Sequence, residues 1–215
     1  YFGYSSFRNG QKKTVQAILS GKDVIAIMPT GAGKSICYQL PAIMSEGITL
    51  VISPLISLMQ DQVKALKENG IRAAYINSSL TESQISKALF LAKKGTYKII
   101  YVSPERLENF EFISFAQSIN ISMITVDEAH CVSQWGYDFR PSYLKIRSFT
   151  SVLKKRPIIS AFTATATEDV KNDIINLLGL KNPTVVATGF DRKNLHYSVV
   201  KPPQKDLFLI DFINR

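Results

Sequence analysis

The sequence predicts an α/β domain, a mostly parallel sheet with helices on both faces. Short, β-branched apolar runs alternate with longer amphipathic stretches. A strand, helix, strand, helix order implies parallel strands joined by right-handed crossovers. The strand-like runs are also continuously apolar, the pattern of strands buried on both faces.

Taken in order, the strands are expected at 23–28, 49–53, 73–76, 98–103, 122–127 and 157–162, each too short for a helix and most rich in Ile and Val. A helical stretch, 36–44, follows the first. Over 55–69, Leu55, Leu58, Met59, Gln62, Val63 and Leu66 recur at spacings of three and four, and Gly70 ends the run. Thr81-Glu82-Ser83-Gln84 reads as a capping box opening a helix that runs to about Lys94. Thr165-Ala166-Thr167-Glu168 repeats that pattern before a helix over 170–178, which Gly179 closes.

The composition narrows the function. With 26 Lys and Arg against 17 Asp and Glu, the 215-residue chain carries a formal charge of +9, which leans towards a polyanionic partner. Hydrophobic residues at 46% and charged ones at 20% exclude disorder and collagen-like repeats. No apolar run approaches the ~20 residues of a membrane span, so no membrane partner is expected. Cys37 and Cys131 are too few for a disulfide framework, and buried, reduced thiols are expected. The opening Tyr1-Phe2-Gly3-Tyr4 has no initiator Met and reads as an interior segment of a longer protein. A boundary is placed near Gly189. Residues 1–188 form the main domain. Residues 189–215, with a short strand over 196–200 and a helix-like run over 205–215, read as a linker and the truncated start of a second domain.

Two motifs carry chemistry. The first strand runs into Pro29-Thr30-Gly31-Ala32-Gly33-Lys34-Ser35 and then a helix. Gly31 and Gly33 let the backbone curl so that its N–H groups face phosphate oxygens at a helix N-terminus. In such a loop Lys34 reaches the β- and γ-phosphates and the Ser35 hydroxyl ligates Mg²⁺. Met28 stands where the strict pattern has Gly, so the match is to the second half of the motif. The second motif is Asp127-Glu128-Ala129-His130, at the end of an apolar strand. Asp127 is the expected Mg²⁺ ligand, Glu128 the base for an attacking water, and His130 a further catalytic candidate.

The order of motifs resembles the superfamily 2 helicases and, among them, the RecQ family. Residues 2–11 match an FGxxxFRxxQ opening. Ser53-Pro54-Leu55-Ile56-Ser57-Leu58-Met59 resembles motif Ia, and Val102-Ser103-Pro104-Glu105-Arg106-Leu107 a later strand-contacting motif. After the DEAH box come Cys131-Val132-Ser133-Gln134-Trp135-Gly136-Tyr137-Asp138-Phe139-Arg140-Pro141. Ala161-Phe162-Thr163-Ala164-Thr165-Ala166 resembles motif III, and residues 189–195 motif IV. The opening motif and the Trp135 loop are the discriminating ones. DEAD-box RNA helicases carry a PTREL-type motif Ia and a SAT motif III, absent here.

The resemblance implies a RecA-like P-loop NTPase lobe followed by the start of a second. It further implies Mg-ATP hydrolysis coupled to 3′-to-5′ translocation on single-stranded DNA and duplex unwinding in recombination and repair. By resemblance Tyr4 and Arg8 stack on adenine and Gln11 reads its edge; without the match, this segment reads as a packing helix with Gln11 exposed. Trp135, Phe139 and Arg140 are implied to sense DNA, as aromatics stack bases and arginines take phosphates, with Ser53 and Arg106 also on the strand. Tyr137 stands where several relatives are expected to carry histidine. Thr163 and Thr165 read equally as a link from the γ-phosphate to the next domain or as helix N-caps. The implied partners are single-stranded and partly duplex DNA and the rest of the same polypeptide. The implied location is the cytoplasm (nucleoid) of a bacterium or the nucleus of a eukaryote. The alternatives are an RNA-directed or translocase-only motor of the same superfamily, and a nucleotide-dependent binding switch without useful turnover.

Overall fold

The computed structural model describes residues 1–189, 195 and 198–214. Seven parallel strands form one sheet: β1 Val24–Ile27, β2 Ile48–Ile52, β3 Ala73–Ile76, β4 Ile99–Val102, β5 Ile121–Val126, β6 Ile158–Thr163 and β7 Thr184–Ala187. Their order is β3-β4-β2-β5-β6-β1-β7. The helices are α1 Gln11–Leu19, α2 Lys34–Met44, α3 Ile56–Glu68, α4 Glu82–Lys93, α5 Phe110–Ser118, α6 Lys145–Ser151, α7 Glu168–Leu178 and α8 Lys205–Ile213.

Successive residues of a strand face opposite sides of the sheet, and both sides are covered. Val24 and Ala26 of β1 join a core with Ile18 of α1, Tyr38 of α2 and Met59 and Val63 of α3. Ile25 and Ile27 join a second core with Leu89 of α4, Phe112 and Phe115 of α5, Ile146 of α6 and Ile174 of α7. Two covered faces explain why the runs are continuously apolar.

Several details depart from the sequence expectations. β7 lacks a strong strand signal because it is a short edge strand, half exposed, pairing among the described residues only with β1. α5 is rich in Phe and Ile, residues of middling helix propensity, and its start is set by the Asn109 side chain, which accepts from Phe112 N–H at 3.0 Å. The capping box at Thr81 forms as expected, with both reciprocal bonds to Gln84. The cap of α7 is Thr167, which accepts from Val170 N–H, and Thr165 does not cap. Thr163 donates its hydroxyl to Thr165 O at 2.9 Å. Gly179 closes α7 at φ 68°. Of the strand expected over 196–200, residues 198–200 carry none and His196 lies outside the described residues, as do 190–194 of the motif IV resemblance. α8 is apolar yet buries no residue. Both cysteines are free and buried, and burial pushes each thiol up to about 12. Among the described residues no helix is long and apolar enough to cross a membrane.

Candidate active site and nucleic-acid loop

β6 lies between β5 and β1, so the loops leaving these three strands emerge side by side at the carboxyl edge, where open α/β sheets bind ligands. The phosphate loop follows β1, the DEAH residues follow β5, and Thr163 ends β6 between them. Thr163 touches both: its carbonyl accepts from Met28 N–H at 3.0 Å and its hydroxyl lies 3.0 Å from His130 Nδ1.

Gly31 and Gly33 take the left-handed conformation, at φ 85° and 80°, and α2 begins at Lys34. The opening segment grips this loop by its carbonyls. Arg8 Nη1 donates to Gly31 O at 2.6 Å, and Gln11 Nε2 donates to Ala32 O and Gly33 O at 3.0 and 3.2 Å. Gln11 Oε1 accepts from Arg8 N–H at 2.8 Å. Both side chains are thus engaged with the loop, and Gln11 also faces a cavity beside it. Tyr4 is 68% exposed. It lines this cavity, of about 280 Å³, with Phe2, Phe7, Gln11, Ile36 and Leu40, beside the start of α2. Pro29, Ala32 and Ser35 are half-buried and Thr30 is exposed. Lys34 donates to Met28 O at 3.2 Å, which holds its ammonium over the loop.

Asp127 is buried, and its Oδ1 accepts from Glu128 N–H at 3.1 Å. Burial first, and the Glu128 carboxylate second, push its carboxyl up to about 6, against the pull of the Glu128 N–H and of Lys34. Glu128 holds φ 48°, ψ 47°, a left-handed conformation costing a non-glycine residue on the order of 1–3 kcal/mol. Its Oε2 is buried without a hydrogen-bond partner, 3.4 Å from His130 Nδ1. The Thr163 hydroxyl spends its proton on Thr165 O, so it accepts from His130, and Nδ1 is the protonated nitrogen. Burial first, with Lys34 and Arg140 adding to it, lowers the pKa of His130 against the upward pull of Glu128 and Asp138. Tyr143, which the sequence reading overlooked, donates to Asp127 O at 3.0 Å. Two carboxylates drawn together, one with an orphaned oxygen, suit a cation. No cluster of three or more metal-binding side chains occurs among the described residues, and Mg²⁺ needs none, since one or two protein oxygens plus substrate phosphates hold it.

Residues 131–141 leave the DEAH box and return to the sheet. Trp135 and Tyr137 are 79% and 76% exposed, and Phe139 and Arg140 half-buried. The Tyr137 ring stacks on His130, centroids 4.2 Å apart at 23°. Arg140 is committed to protein: Nε and Nη2 donate to Asp138 Oδ2 at 3.1 and 3.0 Å, and Nη1 to Pro54 O at 3.2 Å. Its expected grip on phosphate would require these bonds to open. Ser53 follows β2 at the same edge. It is buried, its Oγ has no partner, and its side chain does not reach the surface. Arg106 is half-buried in a 3-10 turn, Pro104–Glu108, on the same edge. Ser133, also overlooked, is fully buried and donates to Asp173 Oδ2 of α7 at 2.6 Å. Nothing in the sequence links these two, 40 residues apart.

Comparison with known proteins agrees with this geometry. The DEAD/DEAH box helicase family model matches residues 8–173. The chain is 50% identical over 99% of its length to the ATP-dependent DNA helicase RecQ of Bacillus subtilis, covering 36% of that protein. It is 48% identical over 93% of its length to the RecQ of Pasteurella multocida, covering 32% of it. It thus spans about a third of the length of these relatives. The fold is shared with a hypothetical ATP-dependent RNA helicase from Sulfolobus tokodaii (TM-score 0.67, 21% identity, 86% of this chain and 54% of that one). It is shared also with the DUF1998 helicase MrfA bound to DNA (TM-score 0.72, 21% identity, 86% and 28%). Both are helicases, and the sheet described above is accordingly a RecA-like one. The chain belongs to the DEAD/DEAH box helicase family, and nearly all of it is similar to about a third of the length of those RecQ helicases.

Proposed function

We propose that the chain is the ATP-hydrolysing lobe of a DNA helicase that translocates 3′ to 5′ on single-stranded DNA. The observation that carries this reading is Glu128. A buried carboxylate oxygen with no hydrogen-bond partner and only the His130 ring 3.4 Å away, on a residue held in a left-handed conformation, is a costly arrangement. A pure nucleotide switch has no need of it, whereas a base awaiting a water does.

In this reading Lys34 and the loop backbone hold the β- and γ-phosphates. Ser35 and Asp127 would hold Mg²⁺, which would neutralise phosphate charge. Glu128 accepts the proton of the attacking water as the new oxygen–phosphorus bond forms and the bond to the diphosphate leaving group breaks. His130, neutral and oriented by Thr163, presents its ring to Tyr137 and thereby meets the aromatic loop. DNA arriving at Trp135 acts on the hydrolytic site through that stack. Unwinding requires a second lobe that closes on ATP, and residues 189–215 are proposed as its linker and start.

The test is steady-state ATP turnover by the full-length protein without nucleic acid, with single-stranded DNA and with RNA. Stimulation by DNA well above that by RNA is expected. Equal or greater stimulation by RNA would make it an RNA-directed motor. A single burst without turnover would make it a switch.

A further inference from the structure

The turn that presents Trp135 hangs on one hydroxyl. Ser133 Oγ donates to Asp173 Oδ2 at 2.6 Å and accepts from Trp135 N–H at 3.1 Å. Gly136 N–H returns to Ser133 O at 3.0 Å. On the far side there is no slack, since a Cβ at Gly136 would come within 2.3 Å of His130 O. A serine hydroxyl has a single proton. The carboxylate claims it in a charge-assisted bond, and this turns the oxygen lone pairs towards the Trp135 amide. Asp173 is itself firmly placed, one residue before Ile174 on a helix whose Val170, Ile174 and Leu178 are buried and whose first turn Thr167 caps.

These contacts close a ring. His130 Nδ1 bonds to Thr163, and the chain runs from Thr163 through Thr167 into α7. Asp173 of α7 bonds to Ser133, whose N–H donates back to His130 O at 3.1 Å. A displacement of the Trp135 turn must either break the Ser133–Asp173 bond or carry α7 with it. The slot between the two walls of the ring, about 340 Å³, is lined by His130, Trp135, Tyr137, Thr165 and Val170.

We propose that Asp173 is a positioning residue. Acting through Ser133, it holds the Trp135 turn in register with α7, so that nucleic-acid contact at Trp135 reaches His130 instead of being absorbed by movement of the loop. This rests on the DNA-coupled ATPase reading above and adds to it a residue outside every motif of the resemblance.

The test has a structural and a functional arm, each with Asp173→Ala, Asp173→Asn, Ser133→Ala and the double Ser133→Ala/Asp173→Ala. In the 215-residue chain, hydrogen exchange at the Trp135 backbone amide is expected to quicken about tenfold or more in the three alanine variants, the scale of losing a hydrogen bond tied to a charged group. Amides of β5 should keep their protection. In the full-length protein, DNA-stimulated turnover should fall on the order of tenfold while turnover without DNA is unchanged. Asp173→Asn, whose amide oxygen can still accept, should recover most of the loss. The double variant should be no worse than the poorer single one, because the residues act as a pair. Unchanged stimulation in the alanine variants overturns the proposal, even if exchange quickens. So does an equal fall with and without DNA, or an asparagine variant as poor as alanine. A wild-type protein with no DNA stimulation overturns the helicase reading itself, a separate outcome visible before any variant is made.

Discussion

The phosphate loop and the aromatic loop leave neighbouring parts of one sheet edge and are held by opposite means. The phosphate loop is fixed through its backbone: two left-handed glycines, a helix beginning at Lys34, and loop carbonyls gripped by Arg8 and Gln11. The aromatic loop is fixed by side chains reaching across the fold: Tyr137 on His130, Ser133 on Asp173, and Arg140 on Pro54 O. The first arrangement is a closely held cradle, and the second leaves two large aromatic side chains in solvent. In the proposed function, the cradle holds the nucleotide and the aromatics meet the strand, so chemistry and sensing differ in stiffness and His130 stands where they meet.

The largest expected effect lies on the stiff side. Lys34→Ala removes the loop's side-chain positive charge, and ATP hydrolysis should fall by about 10³ or more, judged against the 10²–10³ of losing one preorganised donor. Near wild-type turnover would break the assignment of the cradle. Glu128→Gln keeps size but cannot take a proton. Hydrolysis should fall about 10²–10⁴-fold with ATP binding retained, as equilibrium binding of a fluorescent nucleotide would report. A matching loss of binding would make Glu128 structural.

On the sensing side, Gly136→Ala should cost about 1–3 kcal/mol of stability, because the new Cβ collides with backbone at His130 O and the turn must shift. DNA stimulation should suffer more than basal turnover. Chemical denaturation beside the two turnover rates checks this, and an unaffected variant would show that the loop yields to the added methyl group. The smallest effect concerns Asp127. Its carboxyl sits at about 6 in the fold against an ordinary 3.8. The stability this group contributes is therefore fully present below about pH 4 and lost as pH rises through about 6. Asp127→Asn should melt a few degrees above wild type at pH 7.5 without nucleotide, and the gain should vanish at pH 4. Melting curves at the two pH values decide it.

The same contrast sets what the sequence makes legible. Gly31, Gly33, Lys34 and Ser35 are contiguous, and their geometry follows from residue type. Asp127 and Glu128 are marked by the apolar strand before them. Six strands and the face-by-face packing follow from β-branched runs. The edge strand β7 is not legible, because one partner and half-exposed residues leave no pattern. Nor does composition reveal that Arg8 and Gln11 turn to the loop, or that Thr163 donates to Thr165 O. The first depends on partners distant in sequence, the second on where a single proton goes. Asp173 is the extreme case, an ordinary helical aspartate until Ser133 is seen beside it.

The central claim is that contact at Trp135 governs the rate of a hydrolytic site whose own parts are already in place. It is tested most directly by ATP turnover of the full-length wild type and Trp135→Ala, each without DNA and at saturating single-stranded DNA. The account predicts equal basal rates and a loss of stimulation on the scale of one stacking contact, about 1–3 kcal/mol, with a smaller loss of DNA affinity. Equal losses with and without DNA, or none in either state, would contradict it.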